Sequence, residues 1–117
     1  MAIRGNLGQP IVTVANTDTT IYQKPTSSVQ RYAVTAFNCF NNSSSAVTIN
    51  VFVSPNLTSA SGKKIGQYSI PANKDLDINS LIGQGLGTGD DINIIAVAGT
   101  TGVINAALTI TTYDDGS

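Results

Sequence analysis

The ionisable side chains of this chain are seven aspartates, six lysines and arginines, four tyrosines and one cysteine; histidine, glutamate and tryptophan are absent. Imidazole moves protons near neutral pH and is the commonest nitrogen ligand of transition metals, so most general acid/base and metal chemistry loses its usual member. Asp75 and Asp77 stand two apart in an alternating segment and share a face, where two carboxylates could divide acid and base roles across a cleft. No aromatic platform stands beside them, and charge on one side of a strand also keeps an exposed sheet edge soluble, which is the reading adopted. Asp90-Asp91 and Asp114-Asp115 offer oxygens of the kind calcium takes, yet none of the pairs fits the calcium loop that closes on a bidentate glutamate. No catalytic residue, metal ligand or cofactor is assigned.

Three other features could carry chemistry. Cys39 has no second cysteine to pair with and lies in an apolar strand beside Phe37 and Phe40, so it reads as a buried small hydrophobe. The stretch Gly83 to Gly89 looks at first like a phosphate cradle, but it lacks the Gly-Lys-Ser/Thr ending, and a strand follows it where a cradle needs a helix N-terminus. It reads as a turning connection whose glycines supply positive φ, with a contact loop as its functional role. Asn41, Asn42 and Asn56 open glycosylation-type triplets that arise by chance in a chain so rich in Asn, Ser and Thr.

The elements that must position these residues are strands. The first ten residues, with Gly5, Gly8 and Pro10, read as an extended arm in which glycine and proline break regular pairing. Short strands follow at Ile11 to Ala15 and Thr20 to Gln23, the second stopped by Pro25. Gln30 to Asn38 alternates Tyr32, Val34 and Ala36 against Ala33, Thr35 and Phe37; Ala46 to Ser54 alternates Val47, Ile49, Val51 and Val53 against Thr48, Asn50 and Phe52. The two are expected to form a hairpin across the polar turn Asn41 to Ser45. Lys64 to Ile70 and Asp75 to Ile78 come next, then the short apolar segment Leu81-Ile82. Asp91 to Ala98 and Val103 to Tyr113 are expected as a second hairpin whose last strand is central, and 114–117 as a solvated tail.

Charged residues make up 11% of the 117 residues, against about 25% in ordinary domains. The deficit is filled by Thr, Ser and Asn, which with Val favour strands and turns. The chain is read as one all-β domain over 11–113, an antiparallel β-sandwich (jelly-roll or Ig-like) of about eight short strands. A formal charge of −1 with scattered lysines gives no basic stripe, so neither nucleic acid nor an anionic membrane is an expected partner. The N-terminal residues show no secretory pattern, and synthesis in a cytoplasm is expected.

The succession Ile21-Tyr22-Gln23-Lys24-Pro25, Tyr32 to Asn38 and Asn42 to Val53 resembles a module of tailed-bacteriophage virion proteins, in which an "iYt-aP" strand leads into a "v-a-n" strand, a Ser/Thr/Asn turn and a "vtv-v-v" strand. Tyr68-Ser69-Ile70-Pro71-Ala72-Asn73 and Gly87-Thr88-Gly89-Asp90-Asp91-Ile92 are similar to its "sIpan" and "l-aGD-I" elements. The resemblance implies a non-enzymatic virion structural protein, foremost a capsid decoration (cement) protein that stabilises the shell. Neck or tail components and a carbohydrate-binding module of a tail or fibre are the alternatives. It implies a homo-oligomer made in a host bacterial cytoplasm and located in the virion, with the major capsid protein or other virion proteins as partners and no small-molecule substrate. The expected partner contacts are Ile3, Arg4, Asn6, Leu7 and Gln9 of the arm and Gln84, Leu86 and Thr88 of the glycine-rich loop.

Overall fold

The computed structural model describes residues 2–8, 11–23, 31–60, 62–84 and 92–114, with backbone alone for 2–8, 31, 32 and 112–114. Nine strands follow in chain order: β1 (Ala2–Gly8), β2 (Val12–Val14), β3 (Thr19–Tyr22), β4 (Arg31–Asn41), β5 (Val47–Ser54), β6 (Lys63–Ile70), β7 (Asp75–Asp77), β8 (Asn93–Ala98) and β9 (Ile104–Asp114). A 3-10 turn, Asn79–Leu81, sits after β7. The β-branched and alternating segments of the sequence thus become strands, as their side-chain sterics favour.

All pairings are antiparallel, and they build two sheets. The first runs β1-β9-β4-β7, with β2 also on β9, and the second runs β3-β8-β5-β6. β1 meets the Thr109–Asp114 part of β9 and β2 meets Ile104–Ala106, so both lie along one edge of the same strand. The pairs are nested: β5 with β6, β4 with β7, β3 with β8, β2 with β9. A ribbon of four nested antiparallel pairs rolled so that alternate pairs fall in opposite sheets is a jelly roll. The all-β sandwich expected from composition is therefore present, in its jelly-roll form.

Neither expected hairpin forms. β4 lies in the first sheet between β9 and β7, while β5 lies in the second between β6 and β8; β8 and β9 are likewise split between the sheets. Period-two alternation tells which face of a strand is buried, and it is the same whether the next strand pairs beside it or packs across the core. Among the described residues only β5 and β6 pair as chain neighbours. Residues 2–8 of the expected arm pair after all: glycine does not stop β1 from holding a registered pairing with β9, apart from a bulge between Ile3 and Gly5.

The core lies between the sheets. From the first it takes Val14, Val34, Phe37, Cys39, Ile104, Ala106, Leu108 and Ile110; from the second Ile21, Val47, Ile49, Val51, Ile70, Ile94, Ala96 and Ala98. β9 is central, as its length and alternation predict, with Ile104 through Ile110 inward at every second residue. β4 departs from simple alternation because a bulge between Val34 and Ala36 shifts its register. Val34 and Phe37 then both point inward, leaving Thr35 and Ala36 exposed. This reverses the expected placing of Phe37 opposite Val34.

Candidate contact surface

The outer face of the first sheet gathers the features a contact surface needs. Strand alternation places Val12 and Val14 toward the core and Thr13 outward, where its hydroxyl donates to Asn105 Oδ1 at 3.1 Å. Register then carries a row across four strands: Thr13, Asn105, Phe40, Asp75. The next row is Ala107, Asn38, Asp77. Phe37 and Cys39 are buried, so Phe40 between Cys39 and Asn41 must turn out, and it stays 38% exposed. Ile11, just before β2, is 71% exposed, and Ile82, just after the 3-10 turn, is 47% exposed.

Asn38 ties the acidic margin of this face together. Its amide donates to Asp75 Oδ2 at 3.0 Å and to Asp77 Oδ1 at 2.8 Å, so the two carboxylates share a face as their spacing requires. They lie on β7, at the sheet edge, where exposed charge discourages edge-to-edge pairing. A cavity of about 190 Å³ opens beside them, lined by Thr35, Ala36, Phe37, Asp77, Asn79 and Ile82. Its lining draws on the bulged part of β4 (Thr35, Ala36), β7 (Asp77) and the turn after it (Asn79). Among the described residues no group of His, Cys, Asp or Glu is arranged to hold a metal ion.

The expected contact residues fall on two flanks of this sheet. Ile3, Asn6 and Leu7 are in β1, opposite Tyr113, Thr111 and Ile110 of β9, and Arg4 is the bulged residue without a register partner. Gln84 docks on the far side of β4: its carbonyl accepts from the Val34 N–H at 3.0 Å, while Gly83 N–H donates to the Val34 carbonyl at 2.8 Å. Leu7, Ile110 and Val34 share one register row, so the two segments stand level across the sheet, roughly 14 Å apart at about 4.8 Å per strand. Gln9, Leu86 and Thr88 lie outside the described residues. Gly83 adopts φ 89°, the positive value expected of the glycine-rich stretch at its first residue.

The outer-face set Ile11, Phe40 and Ile82 escaped the sequence reading, although one signal was present. An aromatic next to an inward Cys39 has the parity of the outward side, and a phenyl ring placed there is exposed apolar area. Cys39 itself is fully buried, and burial pushes its thiol up to about 12. Such a thiol is protonated and poorly nucleophilic, in keeping with a packing role. Asn41 is also fully buried, and its amide donates to the carbonyls of Ser45 (2.8 Å), Ile70 (2.9 Å) and Pro71 (3.3 Å). An amide so engaged is no glycan acceptor.

No protein-family model matches this chain, and no curated protein matches it. Among solved structures, a chain of "Structure of infectious bursal disease virus Gx strain" overlaps it with a TM-score of 0.40 at 10% identity, over 99% of this chain and 35% of that one. "Crystal structure of infectious bursal disease virus VP2 subviral particle" gives a TM-score of 0.36 at 9% identity, over 94% of this chain and 33% of that one. This chain spans about a third of the length of either.

Proposed function

We propose that this protein is a virion structural component, acting as a decoration (cement) protein on the shell of a tailed bacteriophage. The observation that carries the reading is the nested jelly-roll pairing joined to an outer face of mostly small, uncharged side chains around Ile11, Phe40 and Ile82, with Asp75 and Asp77 at its margin. The jelly roll is an architecture of viral capsid domains, an analogy at the level of fold, and the face supplies apolar anchors in a weakly charged surround. The resemblance of 11–113 to tailed-phage virion modules supports the same reading. A cement protein needs no catalysis: binding only the assembled shell, it adds its binding free energy to particle stability by linkage. Repetition over the shell lets weak individual contacts suffice.

Quantitative mass spectrometry of purified virions tests this directly. Copies in the hundreds relative to the major capsid protein support decoration. A count near six or twelve moves the protein to the neck or tail, and absence from the particle removes the virion role.

A second reading has its own observation. The exposed Phe40 ring stands beside Asn38, Asp75 and Asp77, an aromatic face with amide and carboxylate groups that suits a sugar ring and its hydroxyls. Jelly rolls also serve as lectin domains. Binding on a glycan array that is abolished by Phe40→Ala favours a carbohydrate module of a tail or fibre; a blank array leaves the shell role in possession.

A further inference from the structure

We propose that the hollow over Ala36, on the outer face of the first sheet, receives an arginine side chain from the protein partner on which this face docks. Alternation and the β4 bulge run Phe40, Asn38 and Ala36 along the outside of β4, and β7 sets Asp75 and Asp77 opposite the first two. The cavity of about 190 Å³ opens where this row drops to the small Ala36 side chain. Its lining joins one carboxylate, Asp77, to aliphatic surface from Ala36 and from the exposed Ile82. Asp75 stands two residues from Asp77 on the same face, and no basic residue lines the hollow.

The charge beside this hollow is unbalanced. Both carboxylates place an oxygen on the same nitrogen, Asn38 Nδ2, at 3.0 and 2.8 Å, and among the described residues that neutral amide is the one group bonded to either. Two like charges gathered on one neutral donor repel, and each keeps lone pairs for further donors. A cation relieves the repulsion, and the aliphatic surface next to it suits a cation carried on an apolar stem. Arginine meets both requirements. Its stem lies against Ala36 and Ile82, and its planar guanidinium has donors enough for two carboxylates, where the ammonium of lysine is a single point. The exposed Phe40, opposite Asp75, adds an aromatic face of the kind that guanidinium groups stack on. Beneath a docked partner the charges are sheltered from screening, and their effect is to select the partner and fix its register more than to add affinity.

The arginine site rests on the docking role proposed for this face, and it is tested without any particle. N-acetylargininamide, its neutral isostere N-acetylcitrullinamide and methyl glucoside are each titrated at constant ionic strength into the isotope-labelled full chain, and the amide resonances are followed. Shifts are expected with the arginine compound alone, centred on Ala36, the Asn38 side chain, Asp77 and Ile82. Asp77→Asn should weaken them by about fivefold in affinity, the upper range for an exposed ion pair. Asp18→Asn, at an exposed carboxylate before β3, should leave them unchanged. An equal response to the citrulline compound, shifts centred elsewhere, or no shifts overturn the proposal, and a response to the glucoside alone overturns it in favour of the carbohydrate reading. The citrulline comparison needs only the wild-type chain, so it decides even where a variant fails to fold. Virion copy number is read separately: arginine binding by a chain absent from the particle upholds this site and removes the shell role, and a silent hollow on a chain abundant in the particle does the reverse.

Discussion

Asn41 shows how one side chain can hold two crossovers. It ends β4 with no exposed surface, donates to carbonyls on the β4–β5 turn and at the end of β6, and accepts from the Ser43 hydroxyl at 2.8 Å. Asn41→Ala leaves buried carbonyls without a donor, and urea unfolding is expected to show a loss of about 2–4 kcal/mol. Asn41→Asp should cost more at neutral pH, since a carboxylate would face those carbonyls, and part of the loss should return on acidification. Cys39 gives a pH signature of the same sign at the alkaline end. Its folded pKa of about 12 exceeds the ordinary 9.0 because burial penalises the thiolate. Below pH 9 both states hold the proton and the thiol costs nothing; between 9 and 12 the unfolded chain releases it while the folded chain cannot, so stability falls as pH rises. The slope approaches about 1.4 kcal/mol per pH unit. Cys39→Ala should unfold more easily at pH 7 yet lose this component of the alkaline slope; an unchanged slope from pH 9 to 11 would show that the thiolate is accommodated. The burial of Cys39 was legible from its apolar neighbours, whereas that of Asn41 was not, because nothing in an Asn-Asn-Ser run distinguishes a buried amide from a solvated one.

Apart from β1, which reads as an unpaired arm, strand positions were legible to within a few residues, because β-branched runs and Pro, Gly and Asn punctuation act locally. Strand partners were not, because face alternation is silent on whether a neighbour lies beside or across the core. The bulges in β4 and β6 were hidden for the same reason, each being a relation between two strands rather than a property of one. β6 carries another such relation. Gly66 lies beneath the ring of Tyr68, two residues along on the same face, and a Cβ added there would come within 2.5 Å of the ring. The ring packs against the core, and its hydroxyl reaches Ser80 Oγ in the turn after β7, so it spans from the edge of one sheet to the edge of the other. Gly66→Ala must displace the ring and break that bond, at an expected cost of about 1–3 kcal/mol. Tyr68→Phe removes the bond alone. In a double-mutant cycle by thermal unfolding, Gly66→Ala should cost less on the Tyr68→Phe background; strict additivity would mean that the ring moves without losing Ser80.

At the scale of the molecule, the nesting of strands fixes what each face presents. Rolling the ribbon puts Val14, Phe37 and Leu108 inside and leaves Thr13, Asn105, Ala107 and Phe40 on the outer face of one sheet, so the proposed contact surface is the far side of the same alternation that built the core. With a net charge of −1 and 11% charged residues, attachment through this face cannot draw much on long-range attraction. Raising salt from about 0.1 to 1 M shortens the screening length from about 10 to 3 Å and should leave attachment nearly unchanged, whereas charge-held proteins are released. Purified particles washed across that range are expected to keep their copies of this chain. Phe40→Ser and Ile82→Ser should lower the copies retained at every salt concentration, because both remove apolar area from a face whose other members are small and polar. Release that follows salt and ignores both substitutions would move the contact off the apolar part of this face, to its acidic margin at Asp75 and Asp77 or to Lys63 and Lys64 of β6.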